Sequence, residues 1–140
     1  MIKYPAKIIY DEHDNVFNII FPDLSGCFTY GESLDEAKKN AKEALTAYLE
    51  SIDVRKLKIP KPSKLNGKDI YYFEPEKNVA FAIWLKQKRE EKGYTQEEIA
   101  KILGIKYQTY QRIENPIKSN PTLKTISKLE NVLNEKVVQI

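Results

Sequence analysis

One cysteine (Cys27), one histidine (His13) and five glycines among 140 residues narrow the chemistry open to this chain. A single thiol cannot close an internal disulfide, and one Cys with one His cannot build a zinc site from those ligands alone. Long apolar runs are also missing. The longest, Val79-Ala80-Phe81-Ala82-Ile83-Trp84-Leu85, has seven residues, where a bilayer-spanning helix needs about 20. Asp11, Glu12 and Asp14 follow the first residues too closely to leave space for the apolar core of a secretion signal. What is present is 41% hydrophobic and 31% charged, with a mean hydropathy of −0.55. That is the composition of one ordinary globular domain or two small ones. The expectation is a soluble cytoplasmic protein with no membrane partner.

Charge is unevenly placed. Residues 1–78 hold 12 Lys/Arg against 13 Asp/Glu, and residues 79–140 hold 11 against 7. The basic half is therefore the one expected to face a polyanion. Between the halves, residues 54–68 carry two prolines, a glycine and a run of Lys and Arg, which excludes a helix and predicts a semi-extended basic loop. The expected boundary gives a first domain over residues 1–76, which includes this loop, and a second over residues 77–140.

In the first half, Tyr4, Ala6, Ile8 and Tyr10 alternate as the inward face of a strand, and Val16–Phe21 reads as its hairpin partner across an acidic turn. Cys27–Tyr30 is a short third strand. Ser33-Leu34-Asp35-Glu36 is a capping-box pattern: the Ser33 hydroxyl can accept from the Glu36 amide while Glu36 reaches back. Leu34, Ala37, Ala41, Ala44, Leu45, Tyr48 and Leu49 then recur at helical spacing. The alanines keep that face thin, as a helix lying close on a sheet requires. Ile70–Phe73 supplies a last strand, so the expected class is α+β, a small sheet plus one helix.

Phe21-Pro22-Asp23-Leu24-Ser25-Gly26-Cys27, followed by Thr29, Gly31, Ser33, Glu36-Ala37, Asn40-Ala41 and Glu43-Ala44-Leu45, resembles the signature of HicB antitoxins over about the first 50 residues. Ser25 departs from the proline usual there, a change that a turn tolerates. The resemblance implies a degenerate ribonuclease-H-like fold. It also implies a partner, a small RNA-cleaving HicA toxin whose active site the antitoxin covers. It names no toxin-contacting residue and no cofactor.

An active nuclease would need carboxylates converging on a metal ion. Asp11, Asp14 and Asp23 are the candidates, yet all three fall in turns, where Asp serves the local backbone. Cys27 beside Gly26 reads as a small buried hydrophobe rather than a nucleophile, and His13 as a solvated residue. The expected protein is not an enzyme and has no catalytic or metal-binding residues.

The second half is a series of helices with clear ends. Phe81, Trp84 and Leu85 open one that stops at Gly93. Thr95-Gln96-Glu97-Glu98 is another capping box, and its helix points Ile99, Ala100 and Leu103 inward until Gly104. The next runs from Tyr107 to Glu114 with Tyr110 and Ile113 inward, and a further one starts after Asn120-Pro121-Thr122 with Leu123, Ile126, Leu129 and Leu133 inward. Two helices joined at a glycine turn, with alanine where they approach, form a helix-turn-helix.

This stretch resembles the phage-repressor (Cro/C1, or XRE) helix-turn-helix family through Arg89, Gly93, Thr95–Ala100, Leu103-Gly104-Ile105, Thr109, Arg112–Asn115 and Asn120-Pro121. An all-α DNA-binding domain of about five helices is implied. Lys106 stands where a serine or threonine cap is usual, and Tyr110 where an aliphatic residue is usual. The helix beginning at Tyr107 would enter the major groove by its N-terminal end. Tyr107, Gln108 and Thr109, with Gln111 and Arg112 on the adjoining turns, are the expected base-reading set. Gln96 is expected on a phosphate, and Lys106 and Lys118 add sequence-blind attraction. Arg89 and Glu114 read instead as a mutual ion pair.

Together the two halves predict an antitoxin that masks a toxin and represses its own operon by binding operator DNA, as a homodimer or higher assembly. Candidate seams are the last helix with Val137-Val138-Gln139-Ile140 and the edge of the N-terminal sheet. The alternatives are a metal-dependent nuclease using Asp11, Asp14 and Asp23, and a ligand-sensing repressor without a toxin.

Overall fold

The computed structural model describes residues 2–137. Along the chain the elements are β1 (Tyr4–Asp11), β2 (Val16–Ile20), β3 (Phe28–Gly31), α1 (Leu34–Val54), β4 (Ile70–Phe73), α2 (Lys77–Glu91), α3 (Gln96–Leu103), α4 (Tyr107–Ile113) and α5 (Leu123–Leu133). They divide between two compact units, Ile2–Lys77 and a second that begins at Asn78. Among the described residues no helix is long and apolar enough to cross a membrane.

The first unit is a four-stranded antiparallel sheet in the order β3-β2-β1-β4. Helix α1 covers one face with Ala37, Ala41, Leu45, Leu49 and Ile52, all buried. Tyr4, Ala6, Ile8 and Ile19 are buried beneath it. Side-chain bonds fix the helix in place: Asn40 Nδ2 donates to Tyr30 O at 2.8 Å, and the Tyr48 hydroxyl donates to Ser25 O at 2.8 Å. Gly31 sits where the helix begins, and a Cβ on it would collide with the backbone of Glu36 and Ala37. Ser33 caps α1 by accepting from Glu36 N at 3.1 Å. Tyr10, expected inward, is 45% exposed; its ring lies 4.8 Å from that of Phe17 at the turn end of the hairpin.

The other face of the sheet is open except at Pro5, which is buried. In an antiparallel pair, directly opposed residues share a face. The register therefore sets Lys7, Ile20 and Phe28 in one row and Ile9, Asn18 and Tyr30 in the next, with Tyr72 on the same face opposite Pro5. The basic segment is irregular over residues 57–66, as its prolines require. It is nonetheless pinned. The Tyr4 hydroxyl donates to Pro60 O at 2.6 Å, Ser63 N and Oγ both donate to the Asp23 carboxylate, and the Tyr72 hydroxyl accepts from Leu65 N and donates to Leu65 O, each at 2.7 Å.

In the second unit Phe81, Trp84, Leu85, Ile99, Ala100, Leu103, Tyr110, Ile113, Leu129 and Leu133 form one core. Every residue from Val79 to Leu85 is buried, which explains why the longest apolar run of the chain lies inside a helix. Helix α3 opens with a complete capping box, Thr95 Oγ1 accepting from Glu98 N at 3.1 Å and Glu98 Oε1 from Thr95 N at 3.0 Å. It closes at Gly104, whose φ of 70° is the left-handed region open to glycine at little cost. Two expectations change here. Leu123, read as a core residue, is 75% exposed because it occupies the first turn of α5, ahead of the point where that helix meets the core. The unit carries four helices among the described residues, since the chain turns out of α5 at Asn134. Val137 packs against this unit's own core, while Val138-Gln139-Ile140 lie outside the described residues.

Candidate nucleic-acid interface

Helix α4 is divided sharply between core and solvent. Tyr110 and Ile113 are buried and hold it to the unit, while Lys106, Tyr107, Gln108, Thr109, Gln111 and Arg112 are exposed. A seven-residue helix with two inward anchors leaves its remaining positions free for a partner. Lys106 is the N-cap and makes no side-chain capping bond, so its ammonium stays in solvent at the start of the helix. Lys118 is also exposed, and the turn that carries it is set by Asn115 Oδ1, which accepts from Ile117 N at 2.9 Å and Lys118 N at 3.2 Å.

Behind the exposed row lies a buried polar network. Arg89 donates to Glu114 through Nε at 2.6 Å and Nη2 at 3.1 Å, and through Nη1 to Tyr94 O at 2.8 Å. Burial opposes the charge on Arg89, but the bonds and charge of Glu114 outweigh it, so the guanidinium pKa is raised. Tyr110 sits beside this pair, and burial first, then the Glu114 charge, pushes its phenol well above the ordinary range.

Gln96 is drawn into the same network. Its Nε2 donates to Glu114 Oε1 at 3.1 Å, and its Oε1 accepts from the Tyr107 hydroxyl at 3.4 Å. The side-chain amide expected to meet a phosphate is thus joined to Glu114, and it touches the first residue of the expected reading helix. Sequence reasoning paired Glu114 with Arg89 but missed this second link. The two residues are 18 positions apart and no local pattern couples them.

Two of the three acidic candidates, Asp11 and Asp23, hold backbone or side-chain groups of the first unit. Asp11 Oδ1 accepts from His13 N at 2.9 Å and Asp14 N at 3.3 Å, which makes it the organiser of its own turn. Asp23 holds Ser63. Among the described residues no three His, Cys, Asp or Glu side chains gather as metal ligands. Cys27 is buried with Sγ 3.9 Å from Ala44 O, and burial pushes its thiol up to about 11, the opposite of an activated nucleophile.

Comparison with known proteins assigns the two halves of the chain to two family models. Residues 4–84 match the family model described as HicB_like antitoxin of bacterial toxin-antitoxin system, and residues 85–140 match the helix-turn-helix model. Antitoxin HicB of Escherichia coli (strain K12) is 30% identical over 115 residues, 81% of each chain. Antitoxin HicB 2 of Photorhabdus laumondii is 26% identical over 134 residues, 96% of this chain and 92% of that one. A solved chain from a HicA3 and HicB3 toxin-antitoxin complex is 31% identical, covering 46% of this chain and 72% of that one, with a TM-score of 0.40. The antitoxin model spans more than half of the sequence. The chain belongs to the HicB-like antitoxin family and carries a helix-turn-helix unit behind its antitoxin domain.

Proposed function

We propose that the first unit binds and masks a small RNA-cleaving toxin of the HicA type, and that the second binds operator DNA and represses the operon encoding both proteins. The observation that carries the DNA half is the exposure of Tyr107, Gln108, Gln111 and Arg112 on a helix anchored from behind by Tyr110 and Ile113. Gln108 can bond an adenine edge with both amide atoms, and Arg112 a guanine or a phosphate. Tyr107, oriented by Gln96, meets a thymine methyl or the backbone, and Thr109 completes the reading face. Lys106 and Lys118 supply phosphate attraction that weakens as salt rises. Gln96, joined to Glu114 through one amide hydrogen, contributes a phosphate contact at the start of α3 and orients Tyr107.

Two copies are needed to place two such helices in successive major grooves, so the acting form is a homodimer or higher assembly in the cytoplasm. Toxin occupancy then sets operator avidity through the assembly state. The first unit acts by binding rather than catalysis, which suits the commitment of Asp11 to its own turn and of Asp23 to Ser63. Gel-shift titration of the promoter with the antitoxin at increasing toxin ratios tests the whole scheme. Operator affinity is expected to change with the ratio, and a flat response at every ratio would remove the coupling. Failure to distinguish promoter from random duplex would remove the DNA reading itself.

A further inference from the structure

The roles proposed above name no residue of the open sheet face or of the basic loop at its rim. Ile20, Phe28 and Tyr30 are 56%, 69% and 60% exposed, and Tyr72 is 43% exposed. An apolar edge strand of this kind normally carries covering or blunting features. Here the two rings of β3 stand free, about 7 Å apart along the strand. Lys7 shares a row with Ile20 and Phe28, and Asn18 shares one with Tyr30.

The rim supplies the second observation. Residues 55–68 contain Arg55, Lys56, Lys58, Lys61, Lys64 and Lys68 and no carboxylate, although residues 1–78 as a whole are acidic by one charge. One point of this cationic segment, Leu65, is held at the same face, while Tyr4 holds Pro60 from the helix-covered side. The Tyr72 ring belongs to that face, and its hydroxyl makes both bonds to Leu65, next to the exposed Lys64. Charge of one sign at the rim of an aromatic patch fits an anionic partner. A polyanion carrying unstacked aromatic bases uses both features: rings on a four-stranded sheet take bases by stacking, and lysines at the rim take phosphates.

We propose that the open face of the sheet, with Phe28 and Tyr30 as stacking platforms and Lys7 and Lys64 as phosphate contacts, binds single-stranded nucleic acid. Duplex is excluded because its bases are already stacked on one another. The site is separate from the exposed row of α4 and does not depend on the operator reading.

The test is fluorescence anisotropy of the full chain with labelled 12-nucleotide oligouridylate and oligothymidylate; the two arms distinguish RNA from DNA as the strand preferred. Binding is expected for at least one of them. Phe28→Ala with Tyr30→Ala is expected to weaken it about tenfold or more, the scale of lost base stacking. Phe28→Leu with Tyr30→Leu keeps strand propensity and apolar area but has no π face, and is expected to fall with the alanine pair. Lys7→Ala with Lys64→Ala is expected to make the salt dependence shallower by about 1.4 in log–log slope. Gln108→Ala with Arg112→Ala, on α4, is expected to leave oligonucleotide binding unchanged. Absence of binding, binding that survives loss of both rings, full retention by the leucine pair, or loss caused by the α4 pair would each overturn the proposal. So would a ring variant that dissociates from its protein partner in sedimentation while still holding oligonucleotide, which would make this face a protein interface.

Discussion

Arg89 and Glu114 form a two-pronged ion pair, Nε to Oε2 at 2.6 Å and Nη2 to Oε1 at 3.1 Å, that ties α2 to the residue ending α4. Both side chains are buried, so each charge depends on the other. Removing one partner strands the remaining charge away from water, a loss on the order of 3–5 kcal/mol. Arg89→Ala and Glu114→Ala are each expected to lower unfolding free energy by that much in urea titration. The double variant is expected to lose less than the sum of the two, because no stranded charge remains. Additive losses would show that the pair does not act as one unit.

The division between specifying and positioning contacts on α4 gives a second expectation. Gln108 is exposed with amide atoms able to read a base edge, whereas Lys118 is a charge held on a turn by Asn115. Gln108→Ala is expected to cost about 1–3 kcal/mol on the operator and little on random duplex. Lys118→Ala is expected to weaken both alike and reduce the salt slope by about 1. Affinities on the two duplexes across a salt series separate these outcomes. Equal losses on both duplexes for Gln108→Ala would mean that the reading face lies elsewhere on the helix.

Much of this arrangement was legible in the sequence because its signals are local. The caps at Ser33, Thr95 and Thr122, the αL stop at Gly104 and the inward pair Tyr110 and Ile113 each rest on spacings of a few residues. Leu123 misled because helical spacing says nothing about where a helix first meets its core. Tyr10 misled for the matching reason at a strand end, where the sheet outruns the helix that covers it. The open aromatic face was hidden by composition: β2 reads Val16-Phe17-Asn18-Ile19-Ile20, with apolar residues at both parities, so alternation could not say that Ile20 points to solvent. The link from Gln96 to Glu114 needs the turn between α3 and α4 to be built first.

Gly31 marks the closest approach of β3 to α1. Any Cβ there meets the backbone of Glu36 and Ala37, which no rotamer change can relieve. Gly31→Ala is therefore expected to displace the start of α1 and disturb the cap made by Ser33 on Glu36 N. The cost should fall in the 1–3 kcal/mol range typical of overpacking. Gly26, where a Cβ meets nothing within 4 Å but φ is +83°, offers the contrast of a purely conformational penalty. Hydrogen exchange separates the two: loss of protection in the first turn of α1 is expected for Gly31→Ala and not for Gly26→Ala.

Lys106 poses a stability question with a functional answer. It occupies the N-cap of α4 with extended backbone, φ −70° and ψ 148°, but has no acceptor to give the first amides of the helix. Thr95 and Thr122 do supply one at α3 and α5. Lys106→Ser is expected to gain about 1 kcal/mol, the usual worth of an N-cap side chain. The same change removes a cation from the edge of the reading face. Weaker binding to every duplex, with the ratio of operator to random affinity preserved, is therefore expected beside a higher melting temperature. If the serine variant is more stable and binds DNA as tightly as before, Lys106 has no contact with phosphate, and the α4 N-terminus meets the groove at a different angle.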